Sequence, residues 1–454
     1  MFREYDLRGL MNDEELNEKS VTLIGKGFGT FLLRQGIQQV VVGYDSRSYS
    51  EDVRDWLVAG LRQVGCNVTD VGLVISPVVY FAQYHLNSKG GAMITASHNP
   101  DGWSGFKLSN GFSKTLLSQD LKEIYRMIEQ DDFESGEGTY TKNEKVIEAY
   151  LENITKNIKL EKPLKVIIDC GNGTAGAFGP QAFRKVGTKV GEIFCNLDTS
   201  FPFHFPNPSN QEARVALSAV VRAIKADIGI CFDGDGDRLG VVDEQGNTIW
   251  SDKIVILLAR HLLKQNPGAT IVYDVKCTQG LEEEITANGG KPVMWKTGHS
   301  YIKQKMQQID AELAGEHSGH IFYKENNGYD DAVFAALKLV EYLSAQKVTL
   351  SELMKTTPQY YASPNIIAPC PDEVKYDIVD QLVKEFKSEY DNVIDINGAR
   401  VVFEDGWGLV RASSNLPELV LIFEAKTAER LSEIKEIFRA KTLKYPEVGA
   451  WENE

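Results

Sequence analysis

The most regular pattern along the chain is a short apolar run, then a polar or glycine-rich loop, then apolar residues at helical spacing. It is clearest after Val40–Val42, where the loop leads into a segment that stops at Gly65. Apolar residues that recur every three or four positions form the buried face of a helix. In this segment they are Val53, Leu57, Leu61 and Val64. The pattern therefore predicts a strand followed by a helix.

The same succession recurs at Val166–Ile168 and at Ile271–Tyr273. Strands that alternate with helices build sheets rich in parallel pairs, in domains of the α/β class. Ligands of such domains bind beyond the carboxyl ends of the strands. The loops that follow the three predicted strands are therefore candidate ligand-binding segments: Gly43–Arg47, Asp169–Thr174 and Asp274–Thr278.

The pattern changes near the C-terminus, after a break at Pro364–Pro371 that holds three prolines. Two apolar runs, Arg400–Phe403 and Gly408–Arg411, flank the dipeptide Asp405-Gly406, and Asp-Gly between apolar runs predicts a β-hairpin. A further predicted strand, Leu419–Phe423, leads into an amphipathic helix. The last ~85 residues are therefore predicted to form a separate α+β domain.

Composition restricts the function classes. The 454 residues predict about three domains. A net charge of −15 argues against general binding to nucleic acids or to an anionic membrane surface. The start of the chain lacks the apolar core of a signal peptide, and no apolar run approaches the length of a membrane span. The six cysteines include no C-x-x-C pair. We therefore expect reduced thiols and a cytoplasmic location.

The loop Thr95–Pro100 carries the first candidate chemistry. It follows Gly91–Ile94, an apolar run that predicts a buried strand. Ser97 offers a hydroxyl, His98 a proton carrier and Lys107 a positive charge. These are the groups needed to load and unload a phosphoryl group. The alternative is that Ser97 only caps a turn.

The second candidate is a run of three carboxylates that alternate with glycines: Asp233, Asp235 and Asp237, followed by Arg238. Glycine lets the backbone turn tightly, and like charges converge favourably only around a cation. The spacing to Glu244 is that of an EF-hand, but arginine replaces its glycine and the flanks are strand-like. Three oxygen ligands with room for phosphate favour Mg²⁺, and Arg238 can neutralise the same phosphate. The apolar flanks argue against a solvated acidic turn.

Two further polar turns have weaker signals. Gly315–His320 places Glu316 and Ser318 where they can bind neighbouring sugar hydroxyls, and Lys296–His299 is a second polar turn. Structural histidines fit these turns as well, and a zinc site on their histidines lacks regular ligand spacing. Arg411–Asn415 combines an arginine with short polar side chains, which suits a phosphate cradle or an ordinary hairpin loop equally.

Considered together, these motifs resemble the α-D-phosphohexomutase family, and most closely its bacterial phosphomannomutase/phosphoglucomutase branch. The resemblance includes the opening segment Phe2–Gly9 and extends over essentially the whole chain. It implies four domains around one central cleft. Three are α/β domains with mixed, parallel-rich sheets. The domain at residues 1–150 carries the Ser97 loop (Thr95–Pro100), the domain at 151–252 carries the aspartate loop (Asp233–Arg238), and the domain at 253–366 carries the sugar loop (Gly315–His320). The fourth is an α+β domain at residues 367–454, which carries the phosphate loop.

The resemblance also implies a role for each motif. Ser97 is expected to be a phosphoserine. The implied catalytic residues are Ser97, His98, Lys107, Arg8 and Arg238. The implied ligands of one Mg²⁺ are Ser97, Asp233, Asp235 and Asp237. The implied substrate-binding residues are Tyr5, Lys276, His299, Glu316, Ser318, His320, Arg411, Ser413, Ser414 and Asn415. The chain has Arg-Ala-Ser-Ser-Asn at 411–415 where the family usually has Arg-Ala-Ser-Asn-Thr, and Trp103-Ser104 where Tyr-Asn is commoner.

The activity implied is the interconversion of hexose 6-phosphate and hexose 1-phosphate, with mannose, glucose or both. It would proceed through phospho-Ser97 and a hexose 1,6-bisphosphate, which also acts as activator. The expected partners are small sugar phosphates, without nucleic acid or membrane, in a monomer or small homo-oligomer. Three alternatives stay open: a phosphoglucosamine mutase of the same family, a metal-dependent sugar-phosphate phosphatase, and a non-catalytic sugar-phosphate-binding protein. The glucosamine branch usually has glutamine where this chain has His317.

Overall fold

The structure is a computed structural model that describes residues 6–414 and 416–452. Tyr5 and Asn415, both expected to bind substrate, lie outside the described residues. The described chain forms two compact units. One consists of the residues up to Ile254 together with Ser318–Leu353, and the other consists of Val255–His317 and the residues from Met354 onward. Within the described residues, every helix is too short or too polar to cross a bilayer.

The first sheet carries the Ser97 loop. Its strand order is β1-β5-β4-β2-β3-β6; β2 pairs in parallel with β3 and β4, and β5 pairs antiparallel with β4. The elements are β1 (Leu7–Leu10), α1 (Glu18–Leu33), β2 (Gln39–Tyr44), α2 (Ser50–Gln63), β3 (Asn67–Leu73), α3 (Ser76–His85), β4 (Gly90–Ile94), β5 (Trp103–Ser109), α4 (Ser118–Glu129) and β6 (Tyr140–Lys142). The predicted strands at Val40–Val42 and Gly91–Ile94 are confirmed, and the Ser97 loop joins β4 to β5.

The predicted helix of the first unit is also confirmed, as α2, although it ends at Gln63 and Val64 lies just beyond it. Its apolar face is buried against the sheet and α1, because Leu57 and Leu61 have no exposed surface. The two helices approach closely at Gly25, where a Cβ would lie 2.5 Å from the carbonyl oxygen of Leu57. This packing fixes the layer behind the loops at the ends of β2 and β4.

The second sheet carries the aspartate loop. Its order is β11-β10-β9-β7-β8, with β7 parallel to β8 and β9, and with β10 antiparallel to β9. The elements are α5 (Lys145–Thr155), β7 (Lys165–Asp169), a short 3₁₀-helix (Thr174–Ala177), α6 (Gly179–Lys185), β8 (Lys189–Ile193), α7 (Glu212–Ile224), β9 (Ile228–Phe232), β10 (Leu239–Asp243) and β11 (Thr248–Ile249). The aspartates lie in the hairpin loop between β9 and β10, so the rejection of an EF-hand is confirmed.

The next stretch repeats the parallel arrangement. Strand β12 pairs in parallel with both β13 and β14, so their carboxyl ends meet at one edge. The elements are α8 (Ser251–Gln265), β12 (Thr270–Asp274), α9 (Gln279–Ala287), β13 (Lys291–Trp295), α10 (His299–Ile309) and β14 (Leu313–Gly315). The chain continues through β15 (Ile321–Tyr323), a 3₁₀ turn (Lys324–Asn326), α11 (Ala332–Ser344) and α12 (Leu350–Lys355).

The C-terminal sheet is antiparallel, as the predicted α+β class requires. Its elements are β16 (Tyr361–Ala362), β17 (Ile366–Pro369), α13 (Lys375–Glu389), β18 (Val393–Ile394), β19 (Ala399–Phe403), β20 (Gly406–Ala412), β21 (Glu418–Ala425) and α14 (Ala428–Thr442). The predicted hairpin is present as β19–β20, with Gly406 already in β20. The proline-rich break is not a free linker, because β17 lies within it and pairs with β21. Proline is tolerated there because Pro369 ends the strand.

Candidate active site

Ser97 lies in the loop between β4 and β5, and its side chain meets one residue of the aspartate loop. Its hydroxyl donates a hydrogen bond to Asp233 Oδ2 at 2.8 Å and lies 3.1 Å from Nδ1 of His98. The residue is buried and has a φ of +50°, in the left-handed region that residues other than glycine rarely adopt. Such backbone strain persists where the surrounding contacts over-determine it. The serine oxygen is therefore held between an imidazole and a carboxylate.

Arg47, in the loop after β2, supplies much of that constraint. Its guanidinium donates hydrogen bonds to the carbonyl oxygens of Ser97, Asn99 and Pro100, at 3.2, 2.6 and 2.9 Å. Asp45 lies 3.2 Å from the Nε of Arg47 and completes a buried ion pair. Arg47 belongs to a loop that the sequence predicts at the end of a strand, but no sequence motif indicates its role. The structure shows that it binds the backbone of the Ser97 loop.

The three aspartates of the hairpin loop are fully buried, and each places a carboxylate oxygen within 4.8 Å of the others. The glycines between them allow this convergence. Gly236 has a φ of +72°, and a Cβ on Gly234 would overlap the carbonyl oxygen of Ser97. The loop therefore packs directly against the Ser97 loop because residue 234 lacks a side chain.

Lys107 contacts two of these carboxylates. Its ammonium donates to Oδ2 of Asp235 at 2.6 Å and also to Asp237, and Ser76 lies 3.1 Å away. Burial lowers the pKa of Lys107, but the negative charges of Asp235 and Asp237 raise it by more than burial lowers it. The pKa of Lys107 is therefore well above the usual lysine value. Lys107 is thus a fixed positive charge among the carboxylates.

Nearby positive charges neutralise the three aspartates only in part. Burial, then repulsion from Asp237 and Asp235, holds the pKa of Asp233 well above its usual range. Burial also raises the pKa of Asp237, but Lys107 and His320 outweigh this and leave it below its usual range. Buried oxygen donors of one charge sign, with an ammonium already drawn to two of them, fit a hard divalent cation such as Mg²⁺.

Two predicted arginines lie beside this cluster. Arg8 donates from Nη1 to Oδ1 of Asn99 at 2.8 Å and pairs with Asp6 at 3.0 Å. The backbone N–H of Arg238 donates to Oδ1 of Asp233 at 3.1 Å. Burial, then Arg238 and Arg8, lowers the pKa of His98 well below the usual value. His98 is therefore a neutral imidazole near pH 7.

His320 is placed with the aspartate loop. Its Nε2 accepts a hydrogen bond from Nε of Arg238 at 3.0 Å, and its Nδ1 lies 3.0 Å from Oδ2 of Asp330. The Nδ1 is also 3.7 Å from Oδ1 of Asp237. Ser318 precedes Gly319, whose carbonyl accepts from the N–H of Leu239 at 3.0 Å. Asp330 was not among the predicted site residues, because no local sequence pattern distinguishes it.

The second unit gathers another set of predicted residues, around Asp274 at the end of β12. This buried carboxylate accepts hydrogen bonds from the hydroxyl of Thr297 at 2.8 Å and from the backbone N–H of His317 at 3.1 Å. Lys276 Nζ lies 3.8 Å away. Burial raises the pKa of Asp274, but Lys276 and the hydrogen bonds leave it below the usual value. Asp274 thus ties together the loops that follow β12, β13 and β14.

Glu316 and His299 lie at the same edge of this sheet. Oε1 of Glu316 accepts a hydrogen bond from the backbone N–H of Gly298 at 2.5 Å. Gly298 has a φ of +127°, which requires glycine, and the buried His299 begins α10 directly after it. The structure therefore brings Lys276, His299 and Glu316 to one loop cluster.

The Arg411 turn is joined to this cluster by Asn397. The side-chain oxygen of Asn397 accepts from Nε of Arg411 at 3.0 Å and from the backbone N–H of Thr297 at 3.3 Å. Arg411 Nη2 also donates to Oγ of Ser414 at 3.3 Å, whereas Oγ of Ser413 accepts from the N–H of Leu416 at 3.3 Å. Asn397, which was not among the predicted site residues, sets the direction of the guanidinium.

The chain matches four family profiles in order along its length. Their descriptions are phosphoglucomutase/phosphomannomutase alpha/beta/alpha domain I at residues 1–135, domain II at 148–246 and domain III at 250–361, and the C-terminal domain at 368–441. The matches together span far more than half of the chain.

Whole-length relatives agree with the profiles. The chain is 41% identical to a phosphomannomutase/phosphoglucomutase of Pseudomonas putida, over 98% of this chain and 96% of the relative. It is 38% identical to a phosphoglucomutase of Neisseria meningitidis, over 97% of this chain and 96% of the relative. A crystal structure of a phosphoglucomutase/phosphomannomutase family protein from Burkholderia thailandensis superposes with a TM-score of 0.91, at 37% identity, over 97% of this chain and 96% of that one.

Proposed function

The chain belongs to the phosphoglucomutase/phosphomannomutase family, and we propose that it interconverts hexose 6-phosphate and hexose 1-phosphate. The family consists of isomerases that act by phosphoryl transfer. Of the relatives described above, one is named for both the mannose and the glucose activity and one for the glucose activity. We propose that this chain accepts both sugars, through four domains at residues 1–150, 151–252, 253–366 and 367–454. Cytoplasmic action on free sugar phosphates remains part of the proposal.

The observation that carries the proposal is the position of the Ser97 hydroxyl, 2.8 Å from Asp233 and 3.1 Å from the His98 imidazole. In the proposed cycle, Ser97 carries a phosphoryl group. The free hydroxyl of a hexose monophosphate attacks the phosphorus on Ser97 and gives its proton to a base. The bond from phosphorus to Ser97 Oγ breaks, and that oxygen takes up a proton to restore the serine hydroxyl. The product is a hexose 1,6-bisphosphate, whose other phosphoryl group then returns to Ser97 in the reverse sense.

The residues around Ser97 fit these proton and charge requirements. His98, as a neutral imidazole within reach of Ser97 Oγ, suits proton transfer at that oxygen. Lys107 suits the stabilisation of negative charge, since the adjacent carboxylates keep it protonated. Asp233, Asp235 and Asp237 would hold Mg²⁺, which when bound neutralises charge on the transferring phosphoryl group. Arg238 and Arg8 add positive charge beside the same loop.

The second unit is proposed to bind the sugar and the phosphate that does not react. Glu316 would hold the sugar 3- and 4-hydroxyls, while Arg411 and Ser414 would bind the phosphate. Lys276 and His299 would add contacts to the substrate. A hexose presents O3 and O4 similarly in both orientations, so this grip suits a bisphosphate that must present either end. The proposed contacts do not include O2 of the sugar, so they suit both mannose and glucose.

A coupled assay tests the proposal, with mannose, glucose and glucosamine 1-phosphates as substrates and glucose 1,6-bisphosphate as activator. We expect Mg²⁺-dependent isomerisation of the first two sugars and a loss of about 10³-fold or more in kcat on Ser97→Ala. Ser48→Ala, at an exposed serine in the loop after β2, is the matched control and should retain activity. Release of inorganic phosphate without an isomer would indicate a phosphatase, and turnover confined to the glucosamine substrate would exclude the proposed specificity.

A further inference from the structure

Two thiols lie together at the carboxyl ends of neighbouring strands. Cys170 follows β7 and Cys195 follows β8, and these strands pair in parallel. The sulfur atoms of Cys195 and Cys170 lie 3.5 Å apart. We propose that Cys170 and Cys195 form a redox-sensitive dithiol, which a peroxide converts to a disulfide that lowers the activity of the protein. The predicted loss of activity rests on the proposed function, whereas the formation of the disulfide does not.

The two cysteines differ in access to an oxidant. Of the six cysteines, five are buried and Cys195 alone is partly exposed. Burial raises the pKa of the Cys170 thiol well above its usual value, and the neighbouring Cys195 raises it further. Thiolate character and exposure govern oxidation. Cys195 is therefore the thiol that meets the peroxide, and Cys170 is the one that closes the bond.

The chemistry balances with hydrogen peroxide as the oxidant. The sulfur of Cys195 attacks one peroxide oxygen, the O–O bond breaks, and the products are a sulfenic acid and one water. The sulfur of Cys170 then attacks the sulfur of Cys195, the S–O bond breaks, and the hydroxyl leaves with the thiol proton as a second water. Two thiols are oxidised by two electrons in total and one peroxide is reduced. The sulfurs must approach by roughly 1.5 Å to reach disulfide bonding distance.

The segment that carries Cys170 is connected to the aspartate loop. Asn172 donates two hydrogen bonds to the Cys195 segment, from its backbone N–H to the carbonyl of Phe194 at 2.6 Å and from its side-chain amide to the carbonyl of Asn196 at 2.9 Å. Two residues later, the N–H of Thr174 donates to the carbonyl of Gly234 at 2.8 Å.

The same threonine reaches the first sheet, because its hydroxyl accepts from the N–H of Ser46 at 2.9 Å. Gly234 in turn packs against the backbone of Ser97 with no room for a Cβ. A disulfide that draws Cys170 towards Cys195 would therefore shift the segment Cys170–Thr174. This segment contacts the aspartate loop at Gly234, and Gly234 in turn contacts the Ser97 loop. Small misplacements of such groups reduce catalysis strongly.

The test treats the full-length, Mg²⁺-loaded protein with hydrogen peroxide, alkylates the remaining thiols, and maps the peptides without reduction. We expect one new disulfide, between Cys170 and Cys195, and a fall in mutase activity of roughly fivefold or more, the lower end of typical coupling between sites. Dithiothreitol should restore both thiols and the activity. Cys195→Ser and Cys195→Ala should form no such bond and keep their activity in peroxide. Cys370→Ser, at a buried cysteine of the C-terminal domain, should respond like the unmodified chain.

Three results would overturn the proposal: both thiols still open to alkylation after peroxide, a bond from either cysteine to Cys231 instead, or the expected bond with unchanged activity. The mapping needs no catalytic turnover. A protein that forms the bond but isomerises no sugar phosphate would therefore contradict the proposed function, and one that isomerises without forming the bond would contradict only this inference.

Discussion

Replacing Arg47 by methionine should separate the geometry of the Ser97 loop from the stability of the domain. Arg47 donates to three carbonyls of the loop, and its own side chain is almost fully buried. Methionine fills similar space but donates no hydrogen bond. The substitution leaves every predicted substrate-binding side chain in place, so the effect should fall on the reacting geometry.

The magnitude follows from the groups that lose their partner. The carbonyl of Ser97 is buried with Arg47, whereas Asn99 is partly exposed and Pro100 exposed, so water can replace the guanidinium at the latter two. An unpaired buried carbonyl costs about 1–3 kcal/mol. Asp45 also loses its cation, although it keeps the hydroxyl of Ser50 at 2.6 Å. We expect a net cost of about 3 kcal/mol to the native loop, which corresponds to roughly a hundredfold loss in kcat if the reactive conformer bears it.

The assay compares kcat, KM and Tm for Arg47→Met, Arg47→Lys and Arg54→Met. Arg54 is the matched control, since it is also buried in the first unit and pairs with Asp70 at 2.6 Å, but it does not contact the Ser97 loop. Both methionine variants should lower Tm, while Arg47→Met alone should lower kcat with little change in KM. The kcat of Arg47→Lys should lie between that of the native chain and that of Arg47→Met. Equal kcat in the two methionine variants, or a rise in KM alone, would refute the positioning role of Arg47.

Three further predictions follow from other contacts. Asp274→Asn removes the acceptor of Thr297 or of the His317 amide and should raise KM for the sugar phosphate by about tenfold, measured by steady-state kinetics; an unchanged KM would contradict its role. Gly234→Ala should lower kcat by about a hundredfold, whereas Gly111→Ala, where a Cβ has only ordinary contacts, should not. Burial raises the pKa of the Asp331 carboxyl to about 6. The stability that its protonated form adds to the folded state is therefore complete below the unfolded pKa near 3.8 and is lost as pH rises through 6. The Tm of the native chain relative to that of Asp331→Asn should fall from pH 5 to pH 7, and parallel curves of Tm against pH would refute this reasoning.

The strands and their loops were predictable because their signals are local. The runs at Val40–Val42 and Ile271–Tyr273 formed the strands β2 and β12, and the loops after them carry Arg47 and Asp274. Ser97 and Asp233 could be singled out because each belongs to a short motif whose residue types already suggest a chemistry. Whether those residues react as proposed stays a prediction.

The supporting residues were not predictable, because their partners are distant in sequence. Arg47 bonds to a carbonyl 53 residues away, and Arg411 is directed by Asn397, which no motif includes. Strand β17 was also missed, since three prolines suggested a linker, whereas the edge of a sheet tolerates a proline at a strand end. Local patterns thus identified the reactive groups, and tertiary contacts determined what holds them.

The most direct test of the account follows a labelled phosphoryl group through Ser97. Glucose 1,6-bisphosphate labelled on phosphate is mixed with the Mg²⁺-loaded protein, quenched at short times and mapped to peptides, then chased with unlabelled mannose 6-phosphate. We expect the label to appear on Ser97 within the time of one turnover and to leave on a sugar phosphate during the chase. Sugar interconversion with the label never on Ser97, or at an undiminished rate in Ser97→Ala, would contradict it.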